Sequence, residues 1–175
     1  GPVSNRVAGI QKISPVTYDE DSMTPEGITA METWAAQYQA AHRHESTFVN
    51  RIIGLCLLLK RELIERIGGF DTRFGTGNFE DDDLCFRARV AGYKVVIARD
   101  VFIHHYGSKS FEGNKVDYTA TMERNMELFL RKWGFEKVDN RYKPTGLEAI
   151  VYDRAKHFAP YGAEEGFRSD APPVE

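Results

Sequence analysis

Four carboxylates in succession, Glu80-Asp81-Asp82-Asp83, stand between a glycine-bearing loop and a segment whose apolar residues recur at helical spacing. Leu84, Ala88 and Ala91 form one series, Phe86 and Val90 another, and Gly92 ends the run. The pattern predicts a helix over 81–91. Acids in a first helical turn face the positive end of the macrodipole, which keeps them ionised. Four side by side repel one another unless a cation, a sugar hydroxyl or an arginine absorbs the charge. The run is therefore a candidate site, and an ionised carboxylate there is suited to accepting a proton from a hydroxyl. An acidic turn that only complements the dipole is the alternative reading. Asp83 precedes Arg87 by four residues, the spacing of an intrahelical ion pair, and Asp82 is expected to face solvent.

Other residues with chemical potential lie on both sides of this run. His104 and His105 end an apolar segment and lead into Tyr106-Gly107-Ser108-Lys109-Ser110. Neighbours on a strand point to opposite faces, so one histidine at most enters a site. Imidazole suits a divalent transition metal, although oxygen ligands dominate for Mg2+ and Mn2+. A hydrogen-bonded core histidine is the alternative. Lys109 and Ser110 are candidate phosphate contacts from a loop. Asp19-Glu20-Asp21 has the form of an acidic metal motif, but Ser14-Pro15-Val16-Thr17-Tyr18 precedes it and a helix start follows, so it reads as a solvated loop. Cys56 and Cys85 sit in apolar segments without CxxC spacing and are expected to be reduced and buried.

The elements that must position these groups are legible in outline. Residues 1–23 read as loop with one short strand. Thr24-Pro25-Glu26 is a helix start, cap then proline at the first position, for a helix over 25–44 with Ile28, Met31, Ala35 and Tyr38 on one face. Residues 52–59 form a continuous apolar run, the pattern of a central strand buried on both faces. In it, Gly54 permits close approach of a backbone or of a ligand, and both readings stand. A short helix over 60–67 stops at Gly68-Gly69. Gly75 and Gly77 suit a turn with positive φ before the acids. Two short strands follow over 93–98 and 101–105, then a helix over 116–133 ended by Gly134. A further helix is expected over 147–157, and 168–175 reads as a Pro- and acid-rich tail.

The net charge of -3 with 28% charged residues argues against a general nucleic-acid or anionic-membrane binder. The longest apolar run is too short to span a bilayer, and no signal-peptide pattern opens the sequence. A cytoplasmic protein is the expectation.

Taken in order, several motifs resemble the second half of family 2 glycosyltransferases, inverting enzymes with a GT-A fold. They are the Gly54-to-Glu62 segment, Ile67-Gly68-Gly69-Phe70-Asp71, Phe79-Glu80-Asp81-Asp82-Asp83-Leu84, Arg87-Ala88, Ala91-Gly92-Tyr93 and His104-His105-Tyr106-Gly107-Ser108. The resemblance covers residues 1–134 and implies an α/β fold, a partial GT-A arrangement of a mixed sheet flanked by helices, with 135–175 as an extension. It implies transfer of a sugar from a nucleotide-sugar donor to a saccharide, lipid-linked or protein hydroxyl. Asp81 would be the general base and Glu80 would contact the acceptor or position the loop, with Gly54, Gly77 and Asp83 on the sugar side. His105, two residues before a glycine, would approach the metal or diphosphate, and His104 is the second choice. A divalent metal, Mn2+ or Mg2+, is implied, but its Asp-x-Asp ligand and the nucleoside pocket precede this region in that family. The chain accordingly reads as the C-terminal part of a larger enzyme, inactive alone and expected to self-associate. A non-catalytic carbohydrate- or protein-binding module derived from such an enzyme is the competing function. A small metal-dependent hydrolase would need a second ligand cluster that the sequence does not show.

Overall fold

In the computed structural model the described residues are 1–107, 117–138, 141–143 and 150–159. The chain divides into two compact units, both discontinuous: Gly1–Leu58 with Lys94–Val116, and Leu59–Tyr93 with Asp117–Glu175. Helices and short strands both occur, so the class is mixed α/β.

In the first unit, β1 (Val3–Ser4) pairs in parallel with β4 (Phe102–Ile103), and β2 (Ser46–Val49) pairs antiparallel with β3 (Val95–Ala98). The β2–β3 register runs from Ser46 opposite Ala98 to Val49 opposite Val95. The other side of β3 is met by Gly1, whose N donates to the Val96 carbonyl and whose carbonyl accepts from Ala98 N. Helix α1 (Pro25–Ala41) starts as its sequence dictates, with Thr24 accepting from Gly27 N and Pro25 in the first turn. It stops at Ala41, three residues short of expectation. None of its residues is fully buried; one face carries half-buried Met31, Trp34, Ala35 and Tyr38. Trp34 meets Phe102 edge-on at 4.9 Å and stacks on Tyr38 at 5.3 Å.

The expected central strand over 52–59 does not form. Ile52 is buried, but Leu58 is 96% exposed and Gly54 lies in a turn. A strand needs a free edge, and both edges of β3 are already met; the N–H of Ile53 is satisfied instead by Gln11 Oε1 at 2.6 Å. An apolar run reports a preference for burial and carries no information on a pairing partner. Cys56 is exposed for the same reason, whereas Cys85 is buried as expected. In place of one mixed sheet, the described residues form three two-stranded ladders.

The second unit holds α2 (Arg61–Ile67), α3 (Glu80–Val90), α4 (Tyr118–Trp133), the antiparallel pair β5 (Glu136–Val138) and β6 (Arg141–Lys143), and the single turn α5 (Arg154–His157). Helix α2 closes at Gly68, φ 80, and α4 closes at Gly134 in the left-handed conformation, φ 67. Asp117 caps α4 by accepting from Ala120 N. The core is aromatic: Phe74, Phe86, Phe129, Trp133 and Phe135, with Phe86 edge-on to Trp133 at 4.6 Å. Of the helix expected over 147–157, only Arg154–His157 is helical among the described residues; 168–175 lies outside them.

Candidate functional site

Helix α3 is unusual in having eight consecutive buried residues, Asp81 to Ala88. An apolar stripe cannot account for this, because the polar face is enclosed too. The acids therefore need internal partners.

Asp83 has several. It is fully buried, with Arg87 Nε at 2.7 Å from Oδ2, and Trp133 Nε1 at 2.9 Å and Lys132 Nζ at 2.6 Å from Oδ1. The expected Asp83–Arg87 pair is thus present at i,i+4. Arg87, itself fully buried, donates onward to the carbonyls of Ile67 at 2.7 Å and Gly69 at 2.6 Å, which locks α3 to the end of α2. Lys132 also donates to Asp71 Oδ2 at 2.7 Å, and Asp71 is held as well by Arg73 Nε at 2.9 Å. Burial would raise the Asp71 carboxyl, but the hydrogen bonds of Arg73 and the charge and hydrogen bond of Lys132 outweigh it and hold it below its ordinary value. Burial likewise lowers Lys132, against the two carboxylates.

Glu80 and Asp81 occupy a different environment one turn earlier. Asp81 is 8% exposed and its Oδ1 accepts from Asp82 N at 2.8 Å. Glu80 is partly buried, and its Oε2 is a buried oxygen with no hydrogen-bond partner. Burial first, and the Asp81 and Asp82 carboxylates second, push the Glu80 carboxyl above its ordinary value. Asp82 does not face solvent: it is only 5% exposed, because the polar side of α3 is enclosed along with the apolar one.

The helix start itself is unconventional. Phe79 is the N-cap in left-handed backbone, φ 68 and ψ -7, with no side-chain cap. Gly75, Gly77 and Asn78 before it also have positive φ, of 65, 127 and 71. The two glycines behave as the loop composition predicts, while Asn78 and Phe79 adopt such backbone with side chains attached. Gly77 is buried.

In the first unit, the strand expected over 101–105 is only Phe102–Ile103, so His104 and His105 lie just past its end, each with its own partners. His105 N donates to Asn5 Oδ1 at 2.8 Å, and its Nδ1 lies 2.7 Å from the Arg6 carbonyl. A carbonyl only accepts, so Nδ1 carries a hydrogen, and in the neutral ring the lone pair is on Nε2, the form suited to a metal or an approaching donor. His104 Nδ1 is 2.8 Å from the Tyr18 hydroxyl, while its Nε2 is buried without a partner. Burial, then the Arg6 charge, lowers His104. Burial, then Glu20, raises the Tyr18 hydroxyl to about 12.

Asp19-Glu20-Asp21 is not simply solvated. Arg6 grips both Asp21 oxygens at 2.7 and 2.8 Å, and Glu20 Oε2 accepts from Asn5 Nδ2 at 2.7 Å. These acids are thereby joined through Asn5 and Arg6 to His105, with an arginine where an acidic metal site would need a cation. Among the described residues no three His, Cys, Asp or Glu side chains group as a metal site. The described residues thus do not group as a metal centre by themselves; His105 Nε2 would add a single ligand. Gly54 is half-buried in its turn, and Lys109 and Ser110 lie outside the described residues.

Lys132, Arg73 and Arg6 were not singled out from the sequence, nor was Asn125, which is fully buried on α4. Asn125 had a signal, since it precedes Phe129 by four and Trp133 by eight residues and so interrupts the core stripe of α4 with an amide.

The second unit thus defines a class of site: a buried acidic helix start whose fourth carboxylate is consumed by cations and whose first keeps a partnerless oxygen. No family model and no solved structure matches the chain. A protein of Sinorhizobium fredii (strain NBRC 101917 / NGR234), "Uncharacterized protein y4gI", is 29% identical over 96 residues, covering 53% of this chain. The chain spans only 10% of that protein's length. Among the described residues no helix is long and apolar enough to cross a membrane.

Proposed function

We propose that this chain is part of an inverting glycosyltransferase of the family 2 kind, with a partial GT-A fold, and that Asp81 is its general base. The observation that carries this reading is the partnerless buried Glu80 oxygen next to Asp81, in the turn before an aspartate fully committed to structure. A buried carboxylate oxygen without a partner is costly, and it persists where a ligand supplies the missing donor. A sugar hydroxyl is such a donor.

Glu80 Oε2 accepts a hydrogen bond from the acceptor sugar and orients it. Asp81 takes the proton of the reacting hydroxyl as its oxygen forms a bond to the anomeric carbon. The bond from that carbon to the nucleoside diphosphate breaks on the opposite face, and the electron pair leaves with the diphosphate. The configuration inverts because attack and departure are in line. Asp83 takes no part in the proton transfer, since Arg87, Lys132 and Trp133 already engage both of its oxygens. The metal-binding part of such an enzyme is not supplied by these residues, and no step here depends on it. His105 is assigned the role of a single metal or diphosphate contact.

The test is release of nucleoside diphosphate from a panel of nucleotide sugars, using the longest natural protein that contains this chain, with saccharide acceptors present. Asp81→Asn should lower turnover by about 10²- to 10⁴-fold, the usual worth of a general base. Its fold and donor binding should stay intact. Near-normal turnover by folded Asp81→Asn overturns the assignment, and absence of any donor turnover favours the non-catalytic binding module.

A further inference from the structure

Asn125 has no exposed surface and lies on α4, away from the acids in sequence. Its Nδ2 is 2.7 Å from the Phe74 carbonyl, 2.7 Å from that of Gly77 and 2.9 Å from that of Asn78. An amide nitrogen has two hydrogens, so three oxygens share them. Its own Oδ1 accepts from Arg124 Nε at 3.1 Å, and Arg124 Nη2 reaches the Phe74 carbonyl at 3.3 Å. Every carbonyl that the Asn125 amide nitrogen meets belongs to the segment that turns into α3.

That loop needs holding. Four of its five residues from Gly75 to Phe79 have positive φ, and two of the four carry side chains. Such backbone persists only where the surroundings over-determine it. No side chain caps α3, so the path of the loop sets where the helix begins. Glu80 and Asp81 are its first two residues.

We infer that Asn125 is a positioning residue for the Glu80–Asp81 pair: its amide gathers three loop carbonyls, holds the left-handed approach to α3 and so aims both carboxylates. The inference rests on the reading of that pair as the working one, but its geometric content is testable without turnover. The raised Glu80 carboxyl is a local probe of the same geometry, since burial and the nearby Asp81 and Asp82 set it.

The experiment is a carboxyl-carbon NMR titration of the 175-residue chain and of Asn125→Ala, assigned at Glu80 and Asp71. In Asn125→Ala, Glu80 should fall back toward its ordinary value of 4.5, while Asp71, held by Arg73 and Lys132, stays low. A purely structural role would leave Glu80 unmoved for as long as the chain is folded. Should Asn125→Ala fail to fold, Gly75→Ala serves instead. Gly75 is exposed, so no core cavity opens, but its φ of 65 and a Cβ 3.1 Å from Arg124 Nη2 disturb the same loop. It should move Glu80 in the same direction. An unshifted Glu80 in either folded variant overturns the inference and leaves the Asp81 result standing. A shifted Glu80 with a fully active Asp81→Asn enzyme would sink the base assignment alone. Once a donor and acceptor are in hand, Asn125→Ala should lower kcat at least tenfold with the donor KM within about twofold.

Discussion

Replacing Arg87 by methionine should be the most damaging single change in the acidic network, and the structure sets how damaging. The guanidinium is fully buried and makes a 2.7 Å bond to Asp83 with 2.7 and 2.6 Å bonds to the Ile67 and Gly69 carbonyls. Breaking a buried ion pair typically costs ~3–5 kcal/mol. Here the lower end applies, because Asp83 keeps Lys132 and Trp133. Ile67 keeps the Tyr152 hydroxyl at 2.6 Å. Gly69 loses its 2.6 Å donor, adding roughly 1 kcal/mol at the low end for an unsatisfied carbonyl. The sum is about 4 kcal/mol, a large part of an ordinary domain's ~5–15 kcal/mol. Lys132→Met offers the contrast. It leaves two intact pairs, Asp71–Arg73 and Asp83–Arg87, each neutral, so its loss should be about half as large or less. Urea unfolding followed by Trp133 fluorescence, in a Trp34→Phe background, measures both. With a slope of about 2 kcal/mol per molar urea, Arg87→Met should lower the midpoint by roughly 2 M. If Arg87→Met shifts it by less than Lys132→Met does, the network is not organised around Arg87 and the argument fails.

Two pH-dependent outcomes follow from the same environment. Glu80 binds its proton more tightly folded than unfolded, so its contribution to stability is lost as pH rises from 4.5 through the folded value. Glu80→Gln should therefore be the more stable protein at neutral pH, with the advantage vanishing below about 4.5; equal neutral-pH urea midpoints would show that the carboxyl is not strained. His157 shifts the other way. It is 5% exposed, stacks on Trp133 at 4.6 Å and accepts at Nδ1 from Asp153 N at 3.0 Å, and burial, then the Lys156 and Lys132 charges, lowers it. Its folded form resists protonation, so stability should fall as pH drops below 6.5. His157→Phe, which keeps the stack, should flatten that decline in urea midpoints between pH 7 and 5, and an unchanged slope would remove His157 as its cause.

What the sequence alone determined is what neighbours along the chain dictate. Thr24-Pro25 starts α1, Gly68 and Gly134 stop α2 and α4, and Asp83 finds Arg87 one turn on, because caps, left-handed stops and i,i+4 pairs are decided within a few residues. The acidic helix is legible for the same reason. Tertiary structure alone decided what each group meets across the fold. Residues 52–59 are apolar enough for a strand but find no edge beside β3, and Cys56 and Leu58 end up exposed. Asp82 is a polar residue on a helix start, yet it is buried, because α3 is enclosed on its polar side as well. Arg6 meets Asp21 across 15 residues, Lys132 reaches Asp71 across 61, and Asn125 reaches the Phe74 carbonyl across 51. Nothing local encodes those distances. They arise when packing within each unit brings distant segments together, after which each enclosed charge or amide must find whatever partner the packing has put within reach.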